Sequence, residues 1–91
     1  MRMTLLTLLP GAGPPVAAAT LRDILWAHVR PSDQVEHISA RAGPDGQLEI
    51  GIYLAATGPE VAREVVERAL RSSATLRRWA LGNVRSGVPQ I

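Results

Sequence analysis

Two histidines, a single tyrosine and ten arginines hold most of the chemistry this 91-residue sequence could perform. Cysteine is absent, which excludes disulfides, thiolate metal sites, iron–sulfur clusters and cysteine nucleophiles. His37 and Tyr53 form the most suggestive pair. If the segments around them are strands of one hairpin, they share a sheet face with Ser39 and Arg41. An imidazole beside a phenol could then move a proton or steer a ligand carbonyl. Glu36, however, falls on the opposite face and cannot orient the imidazole, and there is no G-x-S-x-G elbow. The plainer reading of His37 is a polar cross-strand partner. His28 finds Ile24, Leu25, Pro31 and Ser32 at the helical spacings of three and four, so it has no second ligand and no metal site is expected. It reads as a satisfied histidine on an apolar helix face. The run from Pro10 to Pro15 lies where a phosphate loop could, but it lacks the P-loop spacing and the Lys-Ser/Thr that follows. Pro14 and Pro15 also have no amide to offer an anion. No cofactor is expected.

The arginines are unevenly spread. Residues 1–59 carry four against five acids, residues 60–91 carry six against three, and no acid follows Glu67. Arg71, Arg77 and Arg78 are therefore candidate contacts to an anion. A nucleic-acid surface, built by Arg68 and Arg85 together with these three, is the weaker reading. Sheet modules that bind RNA stack bases on aromatics of their central strands, and here the first strand has none and the third has only Tyr53. The net charge of +2 is also small.

These residues must be positioned by few elements. Residues 2–9 are leucine-rich, short and closed by Pro10, as a buried strand should be. Val16 to about Val29 shifts to a helical period, with Ala17, Leu21, Ile24, Leu25 and His28 on one face and a stop at Pro31. Residues 35–42 and 48–56 alternate around Gly43-Pro44-Asp45-Gly46-Gln47. A type I turn at Pro44-Asp45 completed by a left-handed Gly46 pairs Gly43 with Gln47. That register sets Ile38 opposite Ile52, Ala40 opposite Ile50, His37 opposite Tyr53 and Arg41 opposite Glu49, and a one-residue slip would exchange every face. Thr57-Gly58-Pro59-Glu60 fits a capping box opening a helix that buries Val61, Ala62, Val65, Val66 and Ala69. Its outer face holds Glu64 four residues before Arg68 and Glu67 four before Arg71. Residues 76–85 read as a last twisted strand, and residues 86–91 as a loose tail.

Strand, helix, strand, strand, helix, strand is the order of two split β-α-β units, and it resembles the ferredoxin-like sandwich. The expected fold is one α+β domain over residues 1–91, an antiparallel sheet with two helices on one face and the Pro/Gly loop at 10–15. Arg2, the run Met3 to Leu9 and Ala17-Ala18-Ala19 loosely imitate a secretory signal, but Thr4 and Thr7 interrupt the run and it supplies the best strand. The segment reads as structure, no run is long enough to span a membrane, and a cytoplasmic protein is expected.

In such a sandwich the first strand is central and apolar on both faces, Leu6 and Leu8 on one and Met3, Leu5 and Leu9 on the other. One set must lie under no helix, beside Gly51 and Tyr53. A surface of that kind normally meets a partner. The expected function is a small homodimeric accessory or regulatory module that buries its open face, with Leu5, Tyr53, Trp26 and Trp79 as partner contacts. Shallow clefts lined by His37, Tyr53 and Trp79 would be open to a protein or a small ligand. Trp26 lies about 140° around its helix from Leu21 and points outward, with Arg22 and Arg30 one turn away on either side. The alternatives are a cofactor-independent enzyme of the dimeric α+β barrel type using His37 and Tyr53, and an arginine-based nucleic-acid binder.

Overall fold

The computed structural model describes residues 2–56 and 58–87. Six main elements follow in order: β1 (Arg2–Leu9), α1 (Ala18–Ala27), β2 (Val35–Ala42), β3 (Leu48–Leu54), α2 (Pro59–Ser72) and β4 (Ala80–Gly87). Short 3-10 turns at Pro31–Asp33, Pro44–Gly46 and Ala74–Leu76 join them. The four strands make one antiparallel sheet in the order β2-β3-β1-β4. The result is the two-layer α+β arrangement of the ferredoxin-like sandwich, with β1 at the centre.

One core forms between the sheet and the helices. Thr4, Leu6 and Leu8 of β1, Ile38 of β2 and Leu48, Ile50, Ile52 and Leu54 of β3 are buried there, against Leu21 and Leu25 of α1. From α2 come Ala62, Val65, Val66 and Ala69, the i, i+3, i+4, i+7 spacing of a single helical stripe. Each fully buried aliphatic side chain contributes about 1.5–3 kcal/mol.

Helix α1 is shorter than its apolar period, because Pro31 closes the chain ahead and Pro14-Pro15 delay its start. Its N-cap is Ala17, with no side chain capping the first turn and no acid within it. At the other end His28 donates from Nδ1 to the Ile24 carbonyl at 2.9 Å, so the ring is satisfied by its own helix.

The hairpin keeps the expected register throughout, from His37↔Tyr53 to Ala42↔Leu48. Its turn differs. Asp45 (φ 56°, ψ 35°) and Gly46 (φ 76°) are both left-handed, which makes Asp45-Gly46 a type I′ turn rather than a type I turn at Pro44-Asp45. The Gly43 amide donates to Gln47 O at 2.9 Å and the Gln47 amide to Pro44 O at 3.0 Å. Pro44 is thus the extra residue of a bulge, a position that needs no amide. A second irregularity lies between Val35 and His37, where Glu36 is skipped in the pairing.

Three other expectations are corrected. β4 starts at Ala80 rather than residue 76, because Leu76 and Trp79, three apart, are both buried while Arg77 and Arg78 are exposed. That spacing suits a helical turn and not a strand. Ser86 and Gly87 pair with β1 and belong to the sheet rather than a tail; residues 88–91 lie outside the described residues. Helix α2 is capped by Gly58, and Thr57 also lies outside the described residues.

Arg68 is the last correction. It does not pair with Glu64 on the surface but turns inward, donating from Nη1 to His28 O at 2.6 Å and to Asp33 Oδ2 at 3.1 Å. Asp33 also accepts the Arg30 amide at 2.8 Å. Burial pushes the Asp33 carboxyl up, but the Arg30 amide and the Arg68 hydrogen bond and charge outweigh it and hold the group below the ordinary carboxylate value. The pair ties α2 to the turn between α1 and β2.

Candidate functional site

The sheet face away from the helices is uncovered, and β1 sets its character. Met3, Leu5 and Thr7 project there, each half-buried, and Leu9 continues the row at 38% exposure. Leu5 sits opposite Gly51 of β3, and Gly51 sits opposite Ser39 of β2. A Cβ on Gly51 would lie 2.8 Å from Ser39 Oγ and 3.9 Å from Leu5 Cδ2. Its absence opens a trough of about 290 Å³ whose walls include Met3, Leu5, Ser39 and Tyr53. A glycine inside a strand marks a close approach or a gap in the surface; the hairpin register sets Gly51 beside Ser39, and the β1–β3 register sets Leu5 on its other side.

Charges rim the trough on both sides. On the β2–β3 side, Arg41 Nε meets Glu49 Oε1 at 2.6 Å, in a largely exposed pair worth about 0–1 kcal/mol. On the β4 side stands Arg85, exposed and without an ion-pair partner among the described residues. His37 and Tyr53 do come together, with ring centroids 5.4 Å apart and planes tilted by 50°. Neither has a side-chain hydrogen bond among the described residues, so their contact is ring packing rather than a proton relay.

The remaining candidates lie elsewhere. Trp26 is 39% exposed on the outer side of α1, as its helical phase requires, yet neither Arg22 nor Arg30 stacks on it. Trp79 does not join His37 and Tyr53. Only 9% of it is exposed, and it belongs to the core at the end of the sheet where β1 leaves and β4 begins. Arg77 and Arg78 are exposed beside Trp79, whereas Arg71, in the last turn of α2, is outside the cleft they line. Arg78 is partly committed, donating from Nη1 to Ala12 O at 3.1 Å. Asp33 carries no signal in the sequence, and there Arg68 and Arg85 read as members of the basic C-terminal third. Asp33 and Arg68 are far apart in the chain and carry no periodic signal, and Arg85 gains meaning only once Leu5 is known to sit opposite it.

Among the described residues no group of three or more His, Cys, Asp or Glu is arranged to hold a metal ion. No helix among them is long and apolar enough to cross a membrane. No family model, curated protein or solved structure matches this chain.

Proposed function

We propose that the protein is a small accessory or regulatory binding module that pairs with a second copy of itself through the open sheet face. The observation that carries this reading is the row Met3, Leu5 and Tyr53 around Gly51, apolar surface on the central strands with no helix over it. Four strands spaced about 4.8 Å apart and about seven residues long make a patch of roughly 19 × 24 Å, which places such a dimer at the small end of specific interfaces.

A two-fold interface must be complementary to itself, and the rim charges favour that. An axis running along β1 would lay the β4 side of one sheet over the β2–β3 side of the other. Arg85, level with Leu5, would then approach Glu49, which is level with Thr7. That offset of two residues, about 7 Å, is within an arginine's reach. The half-buried Tyr53 and exposed His37 would flank the resulting seam, where a ligand or third chain could contact them.

Light scattering is the test, and it should give twice the mass of one chain. Leu5→Glu should yield a folded monomer, because it buries an unpaired carboxylate in the seam. Arg85→Glu should weaken association, and adding Glu49→Arg should restore part of it. A wild-type chain that stays monomeric at high micromolar concentration overturns the reading.

A further inference from the structure

At the end of the sheet where Leu9 and Ala80 pair, the loop before α1 faces the segment between α2 and β4 across a cleft of about 410 Å³. One wall is Pro14, Pro15 and Val16. The other holds Thr75, Arg77 and Trp79. The geometry points to a binding site for a small amphipathic organic anion, with an apolar ring or chain against Trp79 and the prolines and a carboxylate or phosphate head on Arg77.

The cleft is braced rather than incidental. Gly11 packs so closely on the neighbouring segment that a Cβ there would fall 1.8 Å from the Arg78 carbonyl oxygen. Arg78 then reaches back to donate to Ala12 O, closing the clasp from the other side. The loop is thereby held against residue 78, and the two walls keep their spacing without a ligand. A site prepared in this way loses little entropy on binding.

The two ends of the cleft differ in chemistry. Pro14 and Pro15 have no amide hydrogen, so their wall offers a ligand only aliphatic surface. The small accessible part of Trp79 adds an aromatic contact below them. Arg77 is exposed, and its guanidinium has no hydrogen-bond or ion-pair partner among the described residues, unlike those of Arg78 and Arg68. Thr75 lines the same cleft. A free guanidinium fork suits a planar carboxylate or a phosphate. No acid follows Glu67 in the sequence, so no local carboxylate competes for Arg77 within that stretch. The volume lies within the range of small-molecule pockets, at its lower end. This site is at the end of the sheet, separate from the trough on the open face, and does not depend on dimer formation.

Phenylacetate and phenyl phosphate are the probes, with benzyl alcohol and inorganic phosphate as half-ligands. In a Trp26→Phe background Trp79 is the sole tryptophan, and its fluorescence should titrate saturably with at least one of the two amphipathic anions. Arg77→Gln should weaken that binding by about tenfold or more, as loss of a charge-assisted hydrogen bond does, with the thermal midpoint unchanged. Arg63→Gln, on the exposed side of α2, should leave it unchanged. Saturation by neither anion overturns the proposal. So does equal binding of benzyl alcohol, which would show that Arg77 contributes nothing, or of inorganic phosphate, which would reduce the site to a bare cation.

Discussion

The two faces of β1 are built from nearly the same residue types and behave differently. Toward the helices, Thr4, Leu6 and Leu8 are at most 2% exposed. Away from them, Met3, Leu5 and Thr7 are only half-buried, shielded by their own strand neighbours. The leucines do not decide which face becomes the core. The partner strands do: Ile38, Ile50 and Ile52 fill one side, whereas Ser39, Glu49 and Gly51 leave the other thin and rimmed by charge. A strand that is apolar on both faces is a surplus of hydrophobic surface, and the surplus is available for association.

The largest expected effect tests that division directly. Leu8→Ala should lower unfolding free energy by about 3–4 kcal/mol, through lost transfer energy and the cavity left in a packed core. Leu5→Ala, measured by urea unfolding at low micromolar concentration, should lower it by less than about 1 kcal/mol while reducing the dimer fraction. Equal losses at the two positions would mean that the open face is core as well.

The ion pairs offer the same contrast at smaller amplitude. Arg68→Ala leaves Asp33 buried without its guanidinium and should destabilise by about 2–3 kcal/mol, somewhat less than a fully enclosed pair because Arg68 keeps 15% of its side chain exposed. Arg41→Ala, which breaks the exposed pair with Glu49, should stay within about 0.5 kcal/mol. The two also separate by pH. Asp33 has a folded-state pKa below its unfolded value. Its contribution is therefore complete above the unfolded pKa, about 3.9, and is lost as pH falls through the lower folded value. The gap between wild type and Arg68→Ala should close across that acid window, as followed by circular dichroism.

Gly51→Ala adds a single methyl and sharpens the comparison most. The new methyl is too close only to Ser39 Oγ, a short side chain that can rotate away, and meets Tyr53 and Leu5 at ordinary contact distances of 3.8 and 3.9 Å. Stability should shift by less than about 1 kcal/mol, yet the trough floor rises and association measured by sedimentation should weaken. An unaltered dimer would place the seam elsewhere on the sheet.

The sequence made the strands and their register legible because alternation and the Gly43–Gln47 loop constrain each other: a one-residue slip takes Ile38, Ala40 and Ala42 off their apolar partners, and the short loop excludes longer slips. The type of turn was less legible. Pro44 is equally at home in the first position of a type I turn and in a bulge, and only the dihedrals of Asp45 distinguish the two. Leu76-Arg77-Arg78-Trp79 reads as the start of a strand because its ends are apolar, although a spacing of three belongs to a helical turn. The Asp33–Arg68 link and the cleft at Arg77 join segments that meet only after folding, so no local pattern announces them. For the open face, the residues were readable from alternation, but the depth of the trough at Gly51 required the β1–β3 register as well.

The central position of β1 also affects how incomplete chains behave. Leu5 lies opposite Arg85, nearly the full described length away, whereas the β2–β3 hairpin closes over a two-residue turn. Sheets that depend on such distant pairings form late, after local hairpins and helices. Until β4 arrives, β1 is an edge strand with leucines on both faces and a free row of backbone donors and acceptors, the kind of edge that recruits other chains. A chain cut before Ala80 would hold that state permanently. It would therefore aggregate by adding strands edge to edge along β1, a mode of self-assembly that the full sheet prevents simply by pairing its last eight described residues.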